Sequence, residues 1–141
     1  MPYLQIVYVS SASPALGAEA LADILRVSRR NNRASGVTGA LLHAEGTFVQ
    51  ALEGPPHALG PTLSRIERDP RHQRLTVLLR HEVGVRSFQE WSMAVVRPDR
   101  LPPDERREVR SLLETSGGGL HAAQQILASF QRHVSGLLVP A

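Results

Sequence analysis

The 141 residues are enough for one domain of ordinary size with a few dozen to spare, and the absence of cysteine excludes a disulfide framework, a thiolate nucleophile and a thiolate zinc site. The formal charge of +3 rests on arginine alone, a bias of the kind high-GC bacteria show, and the arginines are scattered among acidic residues, which argues against a nucleic-acid partner. No stretch approaches the roughly 20 apolar residues of a membrane span, and the apolar start "YLQIVYV" lacks the basic flank and length of a secretory signal, so a soluble, cytoplasmic protein is expected.

The first ten residues alternate as a strand, with Leu4, Ile6, Tyr8 and Ser10 on one face and Tyr3, Gln5, Val7 and Val9 on the other. After the loop "SASPALG", helical spacing from Ala18 to about Asn31 puts Leu21, Ile24, Leu25, Ser28, Asn31 and Asn32 on one stripe, and "RASG" turns the chain. "VTGALLH" and "TFVQALEG" read as strands joined by the hairpin loop "AEG". In the second of them Phe48, Gln50 and Leu52 share a face while Val49, Ala51 and Glu53 take the other, so a primary amide points where two large apolar side chains point. A helix from about Pro56 to Arg68 follows, opened by its proline, with Leu59, Leu63 and Ile66 inward and "DPRH" as its end. "RLTVLLRHEVGVR" is a fourth strand and "WSMAVVR" a short fifth. Beyond Pro98 a charged amphipathic helix, "LPPDERREVRSLLETS", a "GGG" break and a last helix, "LHAAQQILASFQRHV", are expected, which divides the chain into residues 1–97 and a helical appendage over 98–141.

The order β-α-β-β-α-β-β is that of an α+β, ferredoxin-like sandwich with one extra strand and two C-terminal helices. One sheet face lies under two helices and the other is left for the appendage. Tyr8, Asn31, Asn32 and Gln50 are polar groups at positions this pattern makes internal. Each has an ordinary explanation: a strand tyrosine carries its hydroxyl to an edge, paired asparagines cap a helix end, and a buried glutamine bonds backbone. Together they converge between the first helix and the sheet, where a buried amide without partners costs roughly 1–3 kcal/mol, and this favours a polar, planar ligand.

"IVYVS" at Ile6 to Ser10, "ILRVSRRNN" at Ile24 to Asn32, "GVTGALL", "GTFVQALEG", "RIERDPRH" and "FQEWSM" resemble, in order and spacing, the BLUF family of flavin-binding blue-light sensor domains over about Tyr3 to Arg97. The resemblance implies a photoactive tyrosine at Tyr8 and a switching glutamine at Gln50, with Trp91 and Met93 as the pair that exchanges in and out of the pocket. It implies that Asn31 and Asn32 bond the polar edge of the isoalloxazine, that Ile24 and Ile66 clamp its faces, and that Arg65 and Asp69 lie toward the ribityl and phosphate end. The cofactor implied is FAD, with FMN as the alternative. The mechanism implied is light-driven electron and proton transfer from Tyr8, recombination, and a rearranged Gln50 amide that donates to the flavin carbonyl.

His43 departs from the family, which often has tyrosine there, and is expected as a solvent-exposed imidazole at the end of its strand. No histidines stand at metal-ligand spacing, and Asp69 with His72 reads as a helix end, so neither a metal site nor an enzyme is expected. An acylphosphatase-like hydrolase would need an anion-cradling arginine in the loop after the first strand, and "SASPALG" has none. An RNA-binding module would need exposed aromatics for stacking, and Tyr8 with Phe48 makes a thin platform. Without an output domain in view, the signal is expected to pass by contact to a downstream protein partner. The last helix, apolar at Leu120, Ala123, Ile126, Leu127 and Phe130, is expected to support a homo-oligomer and to touch the sheet near Trp91 and Met93.

Overall fold

A computed structural model of the chain describes residues 2–13, 17–44, 46–88 and 92–96, with residues 102–104, 124, 125, 127 and 128 of the C-terminal stretch. Alternating β-branched and aromatic residues build β1 (Tyr3–Ala12) and β3 (Thr47–Gly54) next to each other inside a five-stranded sheet. β2 (Thr38–Ala44), β4 (His72–Val83) and β5 (Ala94–Val96) complete it in the order β4-β1-β3-β2-β5. β1 runs antiparallel to β3 and β4, β2 antiparallel to β3, and β5 joins β2 in parallel. With α1 (Ala18–Ser35) and α2 (Pro56–Arg68) this is the expected ferredoxin-like α+β order with one added strand.

The core joins the sheet to both helices: Ile6 and Tyr8 of β1, Leu41 of β2, and Phe48 and Leu52 of β3 pack with Ile24 of α1 and with Leu59 and Leu63 of α2. Burial of each large apolar side chain contributes roughly 1.5–3 kcal/mol, so this face holds the helices to the sheet. The opposite face is apolar too, and Val7, Val9, Leu42, Val49 and Ala51 are buried there. β3 is consequently buried along its whole length. At Gly39 of β2 a Cβ would collide with the Ala51 carbonyl oxygen of β3, so this close approach of two strands requires glycine.

Several boundaries differ from the sequence expectation. α1 runs on through Arg33 and Ala34 to Ser35, because Gly36, at φ 73°, is the residue that takes the left-handed C-cap. Asn31 and Asn32 therefore lie inside the helix and are not its caps. β1 extends to Ala12, where Ser11 and Ala12 pair with Gln73 and His72, so β4 begins at His72, earlier than the turn-like "DPRH" implies. β4 closes at Val83 and β5 keeps only Ala94–Val96. His43 is half-buried against the Phe48 ring, 4.9 Å between centroids, and is not the exposed imidazole expected. The helices expected over 101–116 and 120–134, the division at residue 97 and Trp91 lie outside the described residues, apart from the isolated ones given above.

Candidate functional site

Strand register places the first pair. Tyr8 of β1 stands directly across from Gln50 of β3, and Leu41 of β2 flanks Gln50 on its other side. Both polar side chains point to the helix-covered face, Tyr8 at 0% and Gln50 at 3% exposure. The Tyr8 hydroxyl donates to Gln50 Oε1, and Gln50 Nε2 donates to Met93 Sδ at 3.2 Å. A thioether is a weak acceptor, so one end of the amide is held by a strong partner and the other by a poor one. Burial, aided by the negative charge of Asp69, pushes the Tyr8 pKa up, so the phenol remains a neutral donor.

The segment carrying Met93 is tied to α1 at two points. Asn32 Nδ2 donates to the Ser92 carbonyl at 2.7 Å, and Arg29 Nε donates to the Met93 carbonyl at 3.1 Å. Ser92 Oγ is buried with no hydrogen-bond partner among the described residues.

Above this relay a cleft opens between α1 and α2, enclosing about 620 Å³ counted out to its solvent-open mouth. Ile24, Ile66, Leu41 and Leu52 supply apolar walls, Asn31, Asn32 and Gln50 supply amides, and Arg65, Asp69 and Arg71 supply charge. Arg71 chelates Asp69 with Nε at 2.9 Å and Nη2 at 2.7 Å and reaches Asp23 at 3.1 Å through Nη1, which orders the charged rim. Its hydrogen bonds hold the Asp69 carboxyl below the usual range. Arg65 is exposed, with one long contact of 3.4 Å to Thr62 Oγ1.

His72 closes the floor of the cleft beside Tyr8. Its Nδ1 lies 2.9 Å from Ser10 Oγ, and its ring packs 4.4 Å from Phe48 and 6.0 Å from Tyr8, centroid to centroid. Burial pushes its pKa down to about 4, against a smaller upward pull from Asp69, so the imidazole is neutral near pH 7.

A second polar cluster occupies the other sheet face. Glu53 has 0% exposure and accepts the backbone N–H groups of Ser87, at 2.9 Å, and Phe88. Gln5 Nε2 at 3.2 Å and Thr38 Oγ1 at 3.4 Å also donate to it. A buried carboxylate with this many donors is a fastener, here between β3 and the 87–88 turn that precedes Met93.

The candidate residues thus come together in two layers. Ile24, Asn31, Asn32, Gln50, Arg65, Ile66 and Asp69 all line the cleft, while Tyr8 and Met93 lie beneath it, in contact with Gln50. Trp91, expected beside Met93, lies outside the described residues. Sequence reasoning missed Arg71, His72 and Thr62 at the cleft and Glu53 opposite it. "DPRH" carried the signal for the first two, since a helix end followed at once by a strand on the same core must place its residues at the site's floor.

The cleft chemistry fits a flat heterocycle with a charged tail: apolar faces, an amide-rich inner end whose Asn31 side chain makes no hydrogen bond among the described residues, and ionic groups at the rim. Comparison with known proteins points the same way. The subunit beta of the photoactivated adenylate cyclase of Euglena gracilis is 34% identical over 97 residues, 68% of this chain and 11% of that protein, so the chain spans about a tenth of such relatives. The dark-state structure of BlrB, a BLUF protein, superposes with a TM-score of 0.80 at 29% identity, covering 93% of this chain and 96% of that one. A bacterial light-regulated adenylyl cyclase gives a TM-score of 0.69 at 26% identity over 96% of this chain and 40% of its own. The family described as BLUF, sensors of blue-light using FAD, matches residues 3–94. The chain belongs to the BLUF family, whose members bind flavin and sense blue light.

Proposed function

We propose that this chain holds FAD in the cleft between α1 and α2 and senses blue light through the Tyr8–Gln50–Met93 relay, the observation that carries the reading. Asn31 and Asn32 would hold the polar edge of the ring, Ile24 and Ile66 its faces, and Arg65 and Asp69 its ribityl and phosphate end. Asn32 is suited to its part because Nδ2 spends one N–H on Ser92 and keeps another, while Oδ1 accepts. Bound flavin supplies the absorption of blue light and an electron acceptor. FMN would engage the same ring-binding residues.

Tyr8 is the residue able to release an electron together with a proton, since its hydroxyl already donates to an acceptor. Gln50 Oε1 receives that proton. The amide then has no reason to keep its original orientation, because the only bond holding Nε2 among the described residues is the weak one to Met93 Sδ. When electron and proton return to Tyr8, Gln50 is left exchanged, and Met93 has lost its donor. Such a change redistributes hydrogen bonds of about 0.5–1.5 kcal/mol each, enough to bias a neighbouring equilibrium of similar size.

The sensing role calls for no catalytic turnover, and we assign the chain none. The signal passes to a downstream protein partner in the cytoplasm, with the sensor acting as a homo-oligomer. Among the described residues no helix is long and apolar enough to cross a membrane. The test is a light-minus-dark difference spectrum of the purified, flavin-loaded protein. The parent should give a red shift that decays in darkness, Tyr8→Phe should stay yellow and fluoresce more without shifting, and Gln50→Leu should lose the persistent shift. A parent-like shift in Tyr8→Phe would refute the relay, and chromatography of the released flavin decides between FAD and FMN.

A further inference from the structure

α1 turns a second face away from the cleft. Arg26, Arg29, Arg30 and Arg33 recur at i, i+3, i+4 and i+7, on the side of the helix opposite Ile24, Ser28 and Asn31. With Ala22 they line a shallow depression of about 770 Å³ counted out to its open mouth. Arg26 is paired with Asp23 at 2.6 Å, while the exposed Arg30 and Arg33 make no ion pair among the described residues. Arg29, half-buried at the edge of the stripe, reaches under it to the Met93 carbonyl at 3.1 Å. The stripe is therefore one residue away from the thioether that Gln50 Nε2 touches.

We propose that this face of α1 docks an acidic helical segment of a protein partner, and that Arg29 makes the docking sensitive to light through Met93. The light-sensitive half rests on the photosensory reading above. The occupant follows from shape and charge. Seven residues of helix rise about 10 Å, so a partner helix with glutamates at i, i+3, i+4 and i+7 presents carboxylates at the same pitch. Guanidinium forks meet carboxylates in bidentate pairs, and Ala22, one turn before Arg26, adds no bulk at the N-terminal end of the stripe. A stripe this short, with no aromatic side chain on it, lacks the stacking platform and the extended charge track of a nucleic-acid groove. If Met93 loses its contact with Gln50 on illumination, its carbonyl shifts and Arg29 is released toward the stripe or withdrawn from it.

The probe is an alanine-based helical peptide carrying glutamate at i, i+3, i+4 and i+7 and a red fluorescent label, titrated with the flavin-loaded full chain and read by anisotropy. The parent should bind saturably, more weakly as salt rises, and the double variant Arg30→Glu/Arg33→Glu should bind at least tenfold more weakly while keeping the parent's flavin spectrum. Should that variant lose its flavin, Arg30→Gln/Arg33→Gln takes its place with the same expectation. No saturable binding by the parent, or equal binding by the variants, overturns the docking surface, and displacement by duplex DNA below the peptide's own concentration overturns the choice of a protein partner. Affinity should differ at least twofold between dark and illuminated parent and not between dark and illuminated Arg29→Gln. A parent that shows its spectral shift yet binds equally in both states overturns the coupling and leaves the flavin reading intact, whereas a parent without any spectral shift overturns the flavin reading and leaves dark-state binding to decide the surface.

Discussion

Removing the Gln50 amide orphans a phenol, and the size of that effect can be worked from the contacts. Tyr8 is fully buried and its hydroxyl donates to Gln50 Oε1. In Gln50→Leu that donor is left without its acceptor, at about 1–3 kcal/mol. It cannot escape by ionising, because burial already pushes its pKa upward. Leucine offsets part of the loss, since it relieves a buried amide whose nitrogen had only a thioether for a partner, worth about 0.5–2 kcal/mol. The single substitution should therefore cost between nothing and about 2 kcal/mol, and shape similarity alone would have predicted no loss at all. Tyr8→Phe should cost about 1 kcal/mol by leaving Oε1 unpaired. In the double variant neither group remains to be orphaned, so the two costs should fail to add by about 1–3 kcal/mol, or roughly 3–5 °C of Tm for each kcal/mol. The assay is urea unfolding of all four proteins at saturating flavin in darkness. Costs that add within about 0.5 kcal/mol would show that the two side chains are not energetically coupled.

Three further expectations concern residues around the relay. Gly39→Ala should destabilise by about 2–4 kcal/mol, read as a lower urea midpoint, because its Cβ meets the Ala51 backbone carbonyl, which has nowhere to move; a variant within about 0.5 kcal/mol of the parent would contradict the close approach. Glu53→Gln should cost about 2–4 kcal/mol in the same assay by turning an N–H donor toward the Ser87 or Phe88 amide, and an unchanged midpoint would show that the carboxylate is not the fastener. His72 is held neutral, with its pKa lowered from 6.5 to about 4, so between these values the unfolded chain binds the extra proton. Its contribution, up to about 3 kcal/mol, is full above pH 6.5 and is lost as pH falls toward 4. His72→Phe should flatten the stability profile in that window, and an unchanged slope would place the titration elsewhere.

Period-2 alternation was sufficient to find β1 and β3 and to see that Tyr8 and Gln50 face inward, because a one-residue slip would turn every apolar side chain of these strands over. Helical spacing likewise put Ile24, Asn31 and Asn32 on the cleft side of α1. The end of α1 was misread for a local reason: Asn-Asn looks like a cap, yet the left-handed residue that ends the helix is Gly36. His72 was misread because a turn signal and a strand start share the same residues. Glu53 was illegible for a different reason. The donors that make its burial tolerable, Ser87 and Phe88, are backbone groups more than 30 residues away, and no periodicity within β3 announces them. The contact of Met93 with Gln50 is of the same long-range kind and came only through the family resemblance.

Met93 is where these strands of reasoning meet, because its two ends face different parts of the molecule. Its sulfur accepts from the amide that also bonds Tyr8, and its carbonyl accepts from a guanidinium on the outer side of α1. The bond to the sulfur is weak, and on the proposed mechanism that is the useful property. A switch held by several kcal/mol would need a comparably large perturbation to move it, whereas loss of one weak bond, about 1 kcal/mol, already shifts a balanced two-state segment roughly fivefold. The firm attachments lie to either side: before Met93, Asn32 on the Ser92 carbonyl at 2.7 Å, and after it, the pairing of Ala94 in β5 with Ala40 in β2. They hold the chain on both sides of Met93, so on the proposed mechanism a rearranged amide would be read out at one place on α1.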